Sequence, residues 1–192
     1  MKTNTKKIAG TGILTAVVVV LQLLGSFIKF GPFSISLVLI PIVVGAALYG
    51  KAAGAWLGAA FGVAVLASGD ASMFMAVNPA GTVITVMAKG LLAGLLAGLV
   101  YSLVEKKNKI VATIVAAIVC PVVNTGVFLV GCSLFFMDTL KEWAQGAGFG
   151  TSVATYMIVG LVGLNFVFEL VINIVLSPVI VKLVRLGKKE NK

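Results

Sequence analysis

Apolar residues dominate six stretches of the chain, at about 8–30, 35–50, 52–68, 80–104, 110–136 and 154–186, separated by short segments carrying Gly, Pro, Asn or charge. A hydrocarbon core about 30 Å thick takes roughly 20 helical residues, so the stretches predict six membrane-crossing helices, of which the second and third are short. Those two meet at Tyr49-Gly50-Lys51, which predicts a tight turn. Pro41 inside the second stretch predicts a kink or local unwinding. At membrane depth such irregularity is tolerated only where protein or water faces the freed backbone groups. The first stretch runs on too far for a signal-peptide core and lacks a clean cleavage site, so it reads as the first span.

Charge adds a direction to this pattern. Of fifteen Lys and Arg, twelve fall at four places between or beside the apolar stretches: Lys2, Lys6 and Lys7; Lys51; Lys106, Lys107 and Lys109; and Lys182, Arg185, Lys188, Lys189 and Lys192. Cytoplasmic ends of membrane helices retain Lys and Arg, so a basic patch after every second span predicts both termini inside and an even number of crossings. The net charge of +9 then reports orientation and not nucleic-acid binding. The opposite connections, Lys29 to Ser34, Gly69 to Pro79 and Met137 to about Thr155, are longer and hold Asp70, Asp138 and Glu142 against Lys29 and Lys141. They read as outer loops able to form a lid, with Phe27, Phe30, Phe33, Phe74, Phe135, Phe136, Trp143, Phe149 and Tyr156 in or beside them.

Composition excludes the soluble classes. The chain is 60% hydrophobic and 11% charged, with a mean hydropathy of +1.14, whereas soluble domains carry about twice that charge. An all-α membrane protein forming one domain over 1–192 is expected. Cys120 and Cys132 would lie about 18 Å apart along one helix, too far to bridge. With no His and no Cys pair at ligand spacing, neither a metal site nor a cofactor is expected.

Two glycine ladders, Gly54, Gly58 and Gly62 and then Gly90, Gly94 and Gly98, place small residues on one face of the third and fourth helices. Close packing inside the chain is the simplest use of them. Gly12 and Ala16 in the first helix form a shorter pattern of the same kind, open to internal packing or to docking of another membrane protein. Polar groups in hydrocarbon are costly and are therefore functional candidates: Gln22, Lys89, Asn124, Asn165, Glu169 and Asn173, with Asn78 at a loop edge. Asn165, Glu169 and Asn173 form one stripe at spacings of four, while Lys89, Asn124 and Asn165 sit about 13–16 Å deep from the outer ends of three helices. That is the arrangement of a pocket opening outward. The plainer alternative is a buried Lys89–Glu169 ion pair that fixes packing. If Lys89 contacts substrate, it favours a carboxylate or another electron-rich oxygen.

The chain resembles the substrate-binding S component of energy-coupling factor (ECF) transporters, bacterial vitamin importers. The likeness spans nearly the whole sequence and rests on the six-helix layout, Gly12 and Ala16, the segment IPIVVGAALYGKAAGAWLGAAFG from Ile40 to Gly62, and NFVFELVINIVLSPVIVKLV from Asn165 to Val184. The resemblance implies a bacterial cell membrane and a substrate site near the outer face, to which Lys89, Asn124, Asn165, Glu169 and Asn78 are assigned. It implies docking of a membrane coupling subunit on the Gly12 and Ala16 face, where the family carries two alanines. Energy would come from two partner ATPases, since this chain has no GxxxxGK[ST] loop. Among family substrates, Lys89 favours pantothenate and the aromatics keep riboflavin second.

Two rival classes remain. An ion-coupled secondary transporter or channel would use Lys89 and Glu169 as a relay, but no inverted repeat is evident. A membrane enzyme would have to organise loop acids without a His, a nucleophile elbow or a metal cluster, so no enzymatic activity is expected.

Overall fold

The computed structural model describes the backbone of residues 2–27, 29–30, 33–34 and 37–190, with side chains for 5–27 and 37–187. Lys192 and the side chains of Lys2, Lys29, Phe30, Phe33, Lys188 and Lys189 lie outside the described residues. The chain runs α1 (Lys2–Gly25), a two-residue antiparallel pair β1 (Lys29–Phe30) and β2 (Phe33–Ser34), α2 (Leu39–Tyr49), α3 (Lys51–Ser68) and α4 (Ser72–Val77). It continues through α5 (Pro79–Val104), α6 (Lys109–Phe135), α7 (Met137–Gly146) and α8 (Val153–Thr155), then a π-helical turn (Tyr156–Leu161), α9 (Gly163–Val175) and α10 (Ser177–Glu190).

Among the described residues, α1, α3, α5 and α6 are long and apolar enough to cross a membrane, and Val153–Leu161 with Gly163–Val175 makes a fifth candidate bent by 46°. The α2 helix differs. Its 11 residues reach about 16 Å, half the hydrocarbon thickness. It survives there because eight of those residues are buried against protein. Pro41 does not kink it: α2 begins at Leu39, so Pro41 occupies the first turn, where a missing N–H costs no hydrogen bond. The interior proline is instead Pro121, buried within a continuous α6.

The last apolar stretch is the main departure from the expected layout. Three breaks replace a single helix over 154–186: the π-helical turn, the bend before Gly163, and a junction at Leu176. Pro178 in the first turn of α10 accounts for that junction, because its ring cannot follow another full helical turn. Two of the connections at the outer end of the bundle, the end away from Lys51 and Lys109, also contain helices, α4 and α7. The latter buries Leu140 and Ala144 and exposes Asp138, Lys141 and Glu142.

The glycine ladders pack inside the chain. A Cβ on Gly58 would run into the Gly90 carbonyl and one on Gly90 into that of Gly58; Gly54 and Gly94 oppose each other in the same way. Helices α3 and α5 therefore touch backbone to backbone along an antiparallel crossing. The inner core extends from this seam through Leu39, Ile42, Leu57, Ala93, Ala97, Ala116 and Ile180. A separate outer core contains Phe74, Phe128, Cys132, Phe136, Leu140, Met157 and Leu161. Cys120 and Cys132 are both buried and free.

The basic segments converge at one end of the bundle. Lys7 shares a surface hollow with Gly50, Ser102 and Glu105, a Cβ on Gly98 would meet Lys51 Cα at 2.6 Å, and one on Gly187 would meet Leu48.

Candidate functional site

Between the two cores lies a narrow cavity of about 60 Å³, room for a few waters. Helix α5 supplies Thr82, Thr85 and Lys89, spaced three and four apart on one face. Asn124 and Phe128 do the same from α6, and Asn165 and Glu169 from α9. Gln22 of α1, Phe61 and Val65 of α3, and Asp70, Ala71, Phe74 and Phe136 close the remaining sides. The break before α9 matters here, since it sets Asn165 and Glu169 on a new helix whose first turns face the cavity.

Lys89 and Glu169 face the same cavity, within each other's electrostatic reach, without a salt-bridge contact within 4 Å. The Lys89 ammonium sits 5.6 Å from the Phe61 ring centroid and 5.3 Å from that of Phe128, within cation–π range of both. Glu169 is 2% exposed and accepts a hydrogen bond at 3.3 Å from Asn165 Nδ2, with Asn124 against the same carboxylate. Glu169 Oε2, Asn124 Oδ1, Asn165 Oδ1 and Thr85 Oγ1 are buried and make no hydrogen bond within the protein. Buried polar atoms are rarely left so.

The polar stripe of α9 thus divides. Asn165 and Glu169 line the cavity, while Asn173 donates at 2.8 Å to the Glu169 backbone oxygen within its own helix. Asn78 also serves the backbone. Its Oδ1 accepts from Gly81 N at 2.9 Å, capping α5 ahead of Pro79, and it is not among the residues that line the cavity. Asp70, taken as a loop acid, and Thr82 and Thr85 escaped the sequence reading, while Gln22 was named a functional candidate but left out of the assigned binding set. Gln22 Nε2 donates to Asp70 Oδ2 and, at 3.4 Å, to Ser68 Oγ. The 82/85/89 spacing was an available signal for the threonines.

Aromatic rings roof the cavity. Phe74 of α4 meets Phe128, Phe136 and Trp143 edge to face, at 5.6, 5.0 and 5.5 Å between centroids. A second, smaller hollow lined by Lys89, Asn124, Thr125, Phe128, Val162, Asn165 and Phe166 opens between α6 and the broken helix, so Lys89, Asn124 and Asn165 separate two spaces.

On α1, Gly12 and Ala16 are both exposed, and a Cβ on Gly12 would meet nothing within 4 Å. Only 11% of this helix's apolar window is buried, against 39% in α3, α5 and α6, so α1 is the least buried of these four helices.

The helices thus form a multi-pass membrane bundle around a polar chamber roofed by aromatic rings. The sequence matches the ECF transporter substrate-specific component family over residues 6–181, and the chain belongs to that family. Its members are the binding subunits of transporters and not enzymes. No curated protein matches the chain significantly.

Proposed function

We propose that the chain is the high-affinity substrate-capture subunit of an ECF-type importer for a water-soluble vitamin or related small molecule. It works in a bacterial cell membrane as a single domain with a membrane coupling subunit and two ATPases. The observation that carries the reading is the cavity, where Lys89, Asn124, Asn165 and Glu169 converge from three helices inside a family defined by substrate specificity. Pantothenate and riboflavin are the ligands carried forward from the sequence.

The gathering of Lys7, Lys51 and the ends of α5 and α10 at one pole supports cytoplasmic termini and six crossings, with α2 as the short one. The cavity then opens toward the outer face. The exposed Gly12 and Ala16 surface supports docking of the coupling subunit on α1. Gly12→Leu with Ala16→Leu should impair co-purification with a coupling subunit and leave ligand affinity unchanged; normal complex formation contradicts the docking assignment. The roof of Phe74, Phe136 and Trp143 must part to admit a vitamin, because the space beneath it is smaller than such a molecule.

The test is uptake by vesicles. Protein alone should bind its substrate without accumulating it, whereas accumulation driven by an ion gradient would establish a self-sufficient transporter and overturn this reading.

A further inference from the structure

Taking the substrate-capture reading as its premise, we propose that the ligand is a flat, uncharged ring presenting an N–H donor beside a carbonyl oxygen, as in an imide or lactam. The observation is the chemistry of the atoms left over in the cavity. In its ionised form the Glu169 carboxylate only accepts hydrogen bonds. Glu169 takes Asn165 Nδ2 at 3.3 Å, and Asn124 packs against the same carboxylate. An acceptor-only neighbour turns amide N–H groups toward itself and their oxygens away, which fixes both amide orientations chemically.

The unmatched atoms are therefore Asn124 Oδ1, Asn165 Oδ1 and Glu169 Oε2, all acceptors, together with the Thr85 hydroxyl, which can donate or accept. Glu169 and Asn124 are 2% and 5% exposed, so the deficit lies in a built interior and not on a solvated surface. Beyond the Thr85 hydroxyl and Lys89, what the site lacks is donors. Lys89 supplies the opposite character: its ammonium lies against two aromatic faces and makes no salt-bridge contact within 4 Å. The complement of acceptors beside a donor is an N–H beside a C=O.

A carboxylate ligand would fit less well. The carboxylate group itself would satisfy Lys89 but offer no donor to the unmatched acceptors, and it would bring negative charge beside Glu169 and Asp70, which face the same cavity. This reverses the order that Lys89 alone suggests. The phenyl rings of Phe61 and Phe128 lining the chamber suit a planar ligand.

The experiment measures binding to the full chain in lipid nanodiscs with three probes: riboflavin, whose ring carries an N–H between two carbonyls; its N3-methyl derivative; and pantothenate. Riboflavin should bind, methylation should weaken it about tenfold or more, and pantothenate should bind more weakly still. Glu169→Gln, which fits the same space, should bring riboflavin down toward the methylated ring while leaving the methylated ring little changed. Pantothenate binding above riboflavin, or indifference to methylation, overturns the N–H assignment and leaves the capture reading standing. If none of the three binds, the molecule released from the purified protein decides by its mass. An uncharged ring with an N–H beside a carbonyl supports the proposal, any other molecule overturns it alone, and no molecule at all overturns both it and the capture reading.

Discussion

The inner and outer halves of this bundle solve opposite problems with the same helices. In the inner half, α3 and α5 approach until the Gly58 and Gly90 backbones touch, and the surrounding positions are small or aliphatic. In the outer half, the same α5 turns Thr82, Thr85 and Lys89 toward a space its neighbours do not fill. Dispersion gained in the tight seam offsets the cost of holding unmatched polar atoms above it. Under the proposed function, the tightly packed half positions the site and the loosely filled half recognises the ligand.

The comparison predicts a ranked set of effects. Gly58→Leu should be the most damaging single change, because its side chain would meet the Gly90 backbone, which no rotamer relieves. A loss exceeding about 3 kcal/mol is expected, seen as collapse of the monodisperse peak in detergent chromatography. Normal yield and melting would deny that the seam is as tight as described. In the outer half, Lys89→Ala, Asn124→Ala and Asn165→Ala should each lower ligand affinity about 10- to 100-fold while the protein still inserts and folds. Unchanged affinity in all three would remove the cavity from the account.

Smaller effects sharpen the boundary of the site. Asn78→Ala removes the α5 cap and should lower stability by about 1 kcal/mol. Its affinity at a temperature where the variant is fully folded should match the parent. A direct loss of affinity would return Asn78 to the binding set. Least of all, the exposed pair of Lys141 and Asp138, 2.8 Å apart, holds the Asp138 carboxyl below its ordinary value through the hydrogen bond and charge of Lys141. Whatever it contributes is present at neutral pH and disappears on acidification through that lowered value. Full solvation makes the amount negligible, so Asp138→Asn should leave the thermal midpoint unchanged.

Much of this division was legible in the sequence. The spacing of apolar residues placed α3, α5 and α6 within a residue of their observed ends, because long apolar periods admit few alternatives. The glycine ladders likewise announced a close crossing, although not that Gly54 would face Gly94 and Gly58 face Gly90. The broken final helix was hidden because Tyr156 to Ile180 is mostly apolar and its polar residues Asn165, Glu169 and Asn173 keep a helical spacing of four, leaving Gly160, Gly163 and Pro178 as the boundary signals. Helix α7 was read as loop since half of it is polar; Phe136, Leu140 and Ala144, four apart, were its helical signal.

The site was legible in part for a related reason. Lys89, Asn124, Asn165 and Glu169 stand out as polar residues in apolar surroundings, and depth along each helix sufficed to bring them together. Asn78 stood out equally, yet the following Pro79 marks a helix start and explains its capping role. Gln22 and Asp70 could not be joined from sequence, because their contact depends on how α1 packs beside the turn after α3.

The central claim is that the outer cavity holds a small molecule through these buried groups. Native mass spectrometry of the gently purified protein, beside its Lys89→Ala variant, tests it most directly. One small molecule per chain in the parent, lost or much reduced in the folded variant, is the predicted result; a parent carrying no small molecule, or a variant that retains the same one in full, would contradict the account.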